Sequence, residues 1–189
     1  MKISFADSRP SGDFALVLPV AGKNRSALDS LGDTRTQVEA ALNRQRLEGE
    51  AAGAAELFLP AEAGVRRLLV VGTGEGAASA EGAEKLGGAI VARLLISGET
   101  HAVVDLSGLN YDAEAAARLA LAASLRAWRY DRYRTKLKDK QKPTLKEITV
   151  VGAANGASKR WKERWQPLYE GVSFTRELIT EPANIIYPE

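Results

Sequence analysis

The chain has 189 residues, enough for one ordinary domain that buries well over half of its unfolded surface without help from a metal or disulfide. With 45% hydrophobic and 26% charged residues it has a globular composition, and a net charge of +2 is too small to demand a polyanionic partner. The absence of cysteine excludes disulfides, thiolate nucleophiles and cysteine-based zinc sites, and the single histidine, His101, excludes a two-histidine metal site within these residues.

Taken in order, short apolar runs alternate with helical patterns. Lys2–Phe5 and Phe14–Val20 read as strands separated by the turn signal Arg9-Pro10-Ser11-Gly12-Asp13. The run Phe14–Ala21 is bounded by Asp13 and Lys23 and interrupted by Pro19, so it is no signal peptide. No stretch reaches the roughly 20 apolar residues of a membrane span, and the expectation is a soluble, cytoplasmic protein. Thr34–Glu48 reads as a helix with Val38, Ala41, Leu42 and Gln45 on one side. Glu56–Pro60 is a strand candidate, and Leu68–Val71 has the continuous apolar look of a strand buried on both faces.

Ser79 is placed to cap a helix whose inward positions are Ala83, Leu86, Ile90 and Leu94. Gly87 and Gly88 weaken that helix by about 1 kcal/mol each relative to alanine, which suggests close backbone packing. Ala102–Leu106 is a further strand, with His101 at its entrance. Asp112 then caps an alanine-rich helix expected to run to about Tyr133, with Ala117, Leu121, Leu125 and Trp128 as its stripe. Ile148–Val151 is the last strand. A final helix from about Ser158 to Thr180 carries Trp161, Trp165, Leu168, Val172 and Ile179 along one seam, and Pro182 ends it. Strands separated by helices imply parallel pairing with crossovers, hence an α/β sandwich with a mostly parallel sheet between helices.

Three sets of residues are candidates for chemistry. Gly72-Thr73-Gly74-Glu75-Gly76 follows a strand and precedes a helix, a setting in which backbone N–H groups can cradle a phosphate. It departs from GxGxxG, no lysine follows, and Glu75 brings a negative charge, so a tight structural turn is the favoured reading. The stretch Arg126–Lys146 carries nine cations against Asp131 and Asp139, a charge of +7 where the rest of the chain is −5, and it interleaves Trp128, Tyr130 and Tyr133. Nucleic-acid binding is one reading, and a solvated helix end followed by a lysine-rich loop is the favoured other. The carboxylate neighbours Glu48 and Glu50, Glu81 and Glu84, and Asp112 and Glu114 lack the companions that metal or glycosidase chemistry needs. Ser107-Gly108 is no nucleophile elbow, and His101 at a strand entrance reads as structural rather than catalytic.

Two stretches together are more specific. Trp128-Arg-Tyr-Asp-Arg-Tyr-Arg-Thr-Lys136, followed by a lysine-rich loop and a strand, resembles the Y-R-F-D-K-Y-K-[ST]-K signature of the leucyl (cytosol) aminopeptidase family. Thr175-Arg-Glu-Leu-Ile-Thr-Glu-Pro-Ala-Asn-Ile-Ile-Tyr-Pro-Glu189 is similar to that family's A-R-D-L-V-N-E-P-[AP]-N-x-x-x-P-E, where the N-terminal domain hands over to the catalytic one. The glycine turn after Val71 sits where the family has V-G-L-G. Thr180 replaces the usual asparagine, and Trp128 stands where tyrosine is common.

The resemblance implies a macro-domain-like N-terminal domain over residues 1–155, an interdomain helix over 156–180, and at 181–189 the start of a linker to a catalytic domain beyond this chain. It implies a full-length enzyme that releases leucine and other apolar N-terminal residues from peptides, using two divalent ions, manganese, zinc or magnesium, and assembling as a hexamer. The family's ligand motifs, G-K-G-[IL]-T-F-D-[ST]-G-G and N-T-D-A-E-G-R, occur nowhere in the 189 residues, so no catalytic, cofactor-binding or metal residue is assigned here. The family's fold also raises an alternative for Gly72–Gly76, a macro-type module holding ADP-ribose or a similar nucleotide.

Overall fold

A run of four to six apolar residues between helices has one good way to satisfy its backbone, which is to lie in a sheet covered on both faces. The computed structural model describes residues 1–61, 64–75 and 79–185. Its elements are β1 (Lys2–Ala6), β2 (Ala15–Val20), a 3-10 segment (Ser26–Thr34), α1 (Arg35–Arg44), β3 (Ala54–Ala61), β4 (Gly64–Gly72), α2 (Ala80–Leu94) and β5 (His101–Asp105). Then follow α3 (Ala113–Ala127), β6 (Glu147–Val151), α4 (Ala157–Arg160), a π turn (Trp161–Trp165) and α5 (Gln166–Thr180).

The six strands form one sheet in the order β1-β6-β5-β2-β4-β3. Every pairing is parallel except β3 with β4. The central strand β2 is buried throughout. Its Pro19 lies opposite Val71 of β4 and beyond the three-residue ladder Ala15–Val17 that joins β5, so no rung to β5 loses a donor. Helices α2 and α3 pack on one face through Leu69, Val71, Leu86, Ile90, Val104, Leu119 and Ile148. The 3-10 segment and α1 cover the other face of β2 and β4 through Leu16, Leu18, Leu28, Val38, Leu42, Leu68 and Val70. This is the expected α/β sandwich of a mostly parallel sheet between helices.

Four details differ from the sequence reading. The strands around residues 56 and 70 are longer than expected and form an antiparallel hairpin, Ala54–Ala61 against Gly64–Gly72, rather than crossover neighbours. Helix α1 stops at Arg44, not Glu48, in a turn that holds Arg46 at φ 55 while Leu47 N–H bonds the Leu42 carbonyl at 3.0 Å. This is a glycine-type helix stop made by an arginine, so the usual stop signal is missing from the sequence. Helix α3 stops at Ala127, because Trp128 turns extended (ψ 129°) and carries the next residues away from the helix axis. Finally, the apolar seam of the last helix is covered only at its start: Trp161 and Trp165 are buried, whereas Leu168 is 48% and Ile179 80% exposed.

The capping expectations for α2 and α3 hold. Ser79 accepts from Gly82 N–H at 3.0 Å, and Asp112 from Ala115 N–H at 2.7 Å. The two glycines of α2 part company. A Cβ on Gly87 would sit 2.2 Å from the Leu119 carbonyl oxygen and 3.0 Å from the Ala123 nitrogen, so α2 and α3 touch backbone to backbone there. A Cβ on Gly88 would meet nothing within 4 Å. Gly87→Ala is therefore expected to push the helices apart and destabilise by about 1–3 kcal/mol. Gly88→Ala is expected to stabilise by up to about 1 kcal/mol through helix propensity. Urea unfolding midpoints at constant slope check both, and equal effects of the two substitutions would contradict the assignment.

Candidate functional site at the end of the last helix

The residues from Trp128 to Arg134 leave α3 as an irregular arm and meet the C-terminal end of α5. Arg132 Nη1 donates to Glu181 Oε1 at 2.6 Å, and the Tyr133 hydroxyl donates to Glu181 Oε2 at 2.8 Å. Arg176, one turn earlier on α5, donates to the Leu125 carbonyl at 3.1 Å and lies 5.6 Å from the centre of the Trp128 ring. It thereby satisfies a carbonyl at the C-terminal end of α3, where a cation is favoured. Trp128, Tyr130 and Tyr133 form a row with ring centres 6.4 and 5.9 Å apart. The two stretches that carry the family resemblance are thus brought together as a clamp.

The electrostatics follow from one carboxylate among donors. Glu181 has only 5% of its side chain exposed. The hydroxyls of Tyr130 and Tyr133 and the Arg132 guanidinium hold its carboxyl below the usual range, against the effect of burial. Tyr130 moves the other way: burial, then the neighbouring Glu181 carboxylate, pushes its hydroxyl well above the ordinary tyrosine value. That hydroxyl closes no well-aligned hydrogen bond of its own. Arg129 is held separately, by Asp131 at 2.8 Å and the Gln141 carbonyl at 2.9 Å. Trp128 and Tyr130 are half-buried in this row and Trp128 also lies against Arg176 of α5, while Tyr133 stays 49% exposed.

The glycine-rich turn is also committed internally. The N–H of Thr73 donates to the Val20 carbonyl at 2.9 Å, and that of Gly74 to the Gly49 carbonyl at 2.9 Å. A Cβ on Gly72 would lie 2.1 Å from the Glu50 carbonyl oxygen, which explains the glycine by backbone contact alone. The donors that a phosphate would need at Thr73 and Gly74 are occupied, while Gly76 lies outside the described residues.

The carboxylate pairs separate into ordinary roles. Glu81 pairs with Lys85 at 2.7 Å, Glu84 and Glu114 share Arg118 at 2.8 and 3.1 Å, and Glu50 accepts from the Glu48 N–H at 3.0 Å. Among the described residues no three His, Cys, Asp or Glu side chains come together as a metal would require. One pair with a buried carboxylate escaped the sequence reading: the half-buried Arg9 bonds Asp105 at 2.6 Å and also Ser30 at 2.6 Å, tying the loop after β1 to the end of β5 and to the 3-10 segment. Burial alone would raise the Asp105 carboxyl, yet Ser107 and Arg9 hold it below the usual range.

His101 has a structural place. It opens β5 beside Phe14, ring centres 6.1 Å apart, and its Nε2 lies 2.8 Å from Thr149 Oγ1. The direction of that bond can be derived. The Glu147 carboxylate only accepts, and Ser4 Oγ donates to it at 3.0 Å. With that proton committed, the 2.9 Å contact between Ser4 and Thr149 needs Thr149 as donor, and Thr149 must then accept from a proton on His101 Nε2. Nitrogen-15 NMR of this one imidazole is expected to show the Nε2–H tautomer, with Thr149→Val releasing a mixture. A majority of Nδ1–H in the unaltered protein would contradict the chain of donors.

The clamp has its own pH signature. The Glu181 carboxyl lies below its ordinary value of 4.5 in the folded chain. Its contribution is therefore complete above about pH 4.5 and is lost as pH falls through the lower, folded value. Trp128 fluorescence is expected to change over that acid range in the unaltered protein and to be flat there in Glu181→Gln. A change of equal size in both would contradict the clamp.

With this geometry in place, comparisons with known proteins give a consistent answer. Residues 17–137 match the profile of the cytosol aminopeptidase family, N-terminal domain. A protein of Rhizobium etli named "Probable cytosol aminopeptidase" is 32% identical over 192 residues, which is 99% of this chain and 38% of that protein. One of the same name from Rhodopseudomonas palustris is 34% identical over 169 residues, 87% of this chain and 33% of its own length. Among solved structures, a mutant of tomato leucine aminopeptidase superposes with a TM-score of 0.80 at 22% identity, over all of this chain and 40% of that one. The bottromycin maturation enzyme BotP gives 0.68 at 22% identity, over 94% and 35%. The chain thus spans about 38% of the length of such a relative. It belongs to the cytosol aminopeptidase family, of which it forms the N-terminal domain.

Proposed function

We propose that the full-length protein is a cytoplasmic, two-metal aminopeptidase that releases N-terminal residues from peptides, preferring leucine and other apolar ones, and that this chain is its non-catalytic part. The observation that carries the reading is the family match over residues 17–137 together with relatives named aminopeptidases that are more than twice as long. Residues 1–155 are the supporting body, residues 156–180 the helix that joins it to the catalytic domain, and residues 181–189 the start of the linker. The last four residues of that linker, with Pro188-Glu189, lie outside the described residues.

Two divalent ions, manganese, zinc or magnesium, would supply the attacking hydroxide and stabilise the oxyanion. The described residues do not fit such a pair, having no cluster of three or more ligand side chains, and no catalytic step is assigned to them. The role of the domain in this reading is assembly of a homo-oligomer, a hexamer, and control of access to the active site. No helix among the described residues is long and apolar enough to cross a membrane.

The test is to purify the full-length protein and residues 1–189 side by side and assay leucine p-nitroanilide with manganese. The full-length protein is expected to turn the substrate over and to lose activity on chelation, while residues 1–189 stay at the uncatalysed background. Turnover by residues 1–189 at the full-length rate would refute the division of labour.

A further inference from the structure

The last helix has two apolar sides, and only one is covered within the described residues. On the covered side, Trp161 and Trp165 pack against Ala117, Ala120 and Leu121 of α3, with Tyr169 beside them. On the other side Gly171, Phe174, Thr175 and Leu178 follow the i, i+3, i+4, i+7 spacing of a single helical face. Phe174 is 62% and Leu178 44% exposed, Ile179 next to them is 80% exposed, and nothing lies within 4 Å of where a Cβ on Gly171 would be. Phe174, Leu178 and Ile179, with the open Gly171 a turn before them on a helix already fixed at both ends, form a ridge shaped to enter a groove.

The occupant is indicated by charge and by length. Glu170 and Glu177 border Phe174 at i−4 and i+3, so a second copy packed antiparallel across the stripe would bring carboxylates against carboxylates. Chain length points elsewhere: this chain covers 38% of its Rhizobium etli relative, so the greater part of such a protein lies outside it. The Arg132–Glu181 bond at 2.6 Å holds the end of α5 against the arm after α3, which keeps the stripe turned away from the domain body. We propose that this stripe seats on the polypeptide that follows residue 189 in the full-length protein, against a surface with an apolar pocket for Phe174 and a basic rim facing Glu170 and Glu177. The inference rests on the reading that this chain is one domain of a longer aminopeptidase.

Hydroxyl-radical footprinting of the full-length protein tests it with an internal standard. Phe58, on the hairpin, is 58% exposed, close to the 62% of Phe174, so the two phenylalanines should label equally if nothing covers the helix. Seating is expected to make Phe174, with Leu178 and Ile179, roughly five-fold less reactive than their exposure here implies, because a packed apolar contact excludes water. Phe174→Glu is expected to restore labelling at Leu178 and Ile179, and Glu170→Lys with Glu177→Lys to raise labelling of Phe174. Equal labelling of Phe174 and Phe58 in the full-length protein would overturn the proposal. Protection reproduced by residues 1–189 alone and fading on dilution would overturn it in favour of a second copy. Protection in a full-length protein that fails to cleave leucine p-nitroanilide would leave the seating intact and remove the aminopeptidase reading instead.

Discussion

The seating of Trp161 and Trp165 on α3 is the contact on which the arrangement of the C-terminal half depends. Both tryptophans are almost fully buried, against Ala117, Ala120 and Leu121. The small alanines let the large rings approach the helix closely, and Arg118 and Arg164 lie 4.6 and 4.8 Å from the Trp165 ring. A π turn spans Trp161–Trp165 where the helix changes from α4 to α5. From there the axis of α5 is fixed, Arg176 reaches the open carbonyl of Leu125, and Glu181 arrives at the arm that carries Arg132 and Tyr133. Removing the tryptophans would leave the polar clamp to order the helix alone, and one ion pair whose arginine is 61% exposed contributes too little for that.

Helix α3 is consequently buried from two directions. Leu119 and Ala123 face α2 and the sheet, while Ala117 and Leu121 face the tryptophans. This double burial accounts for its alanine-rich composition, because bulk on either side would force one neighbour away. The same logic explains Gly87, where α2 comes into backbone contact with α3. Packing runs unbroken from the sheet through α2 and α3 to the last helix. The polar pairs sit at its ends: Arg9 with Asp105 at the end of β5, and Arg132 with Glu181 at the end of α5.

Much of this was legible in the residues. The strand runs Phe14–Val20, Leu68–Val71, Ala102–Leu106 and Ile148–Val151 are the buried strands of the sheet, and Ser79 and Asp112 cap the helices they were expected to cap. Periodicity failed where the competing signal is tertiary. Trp128 continues the stripe of α3 on paper, but its ring packs with Tyr130 and Arg176, so the helix ends without glycine or proline to announce it. Arg46 hides a helix stop because it occupies a conformation that glycine usually supplies. The hairpin β3–β4 was unreadable because its tip lacks a strong two-residue turn signal. The clamp was visible only as two resemblances: nothing local links Arg132 to a carboxylate 49 residues later.

The two stretches that resemble the family thus have a structural meaning in this fold, because together they tie the end of the last helix to the arm after α3. Their cations and aromatic rings hold the end of the last helix, and the glycine turn donates its Thr73 and Gly74 N–H groups to the carbonyls of Val20 and Gly49. A double-substitution cycle between Arg132→Ala and Glu181→Ala, read by hydrogen exchange at the end of α5, tests this most directly. Either change is expected to loosen the helix end, Glu181→Ala the more because it also releases Tyr133, and Arg132→Ala is expected to add nothing once Glu181 is alanine. Fully additive effects would show that the two side chains act apart, and would contradict the clamp.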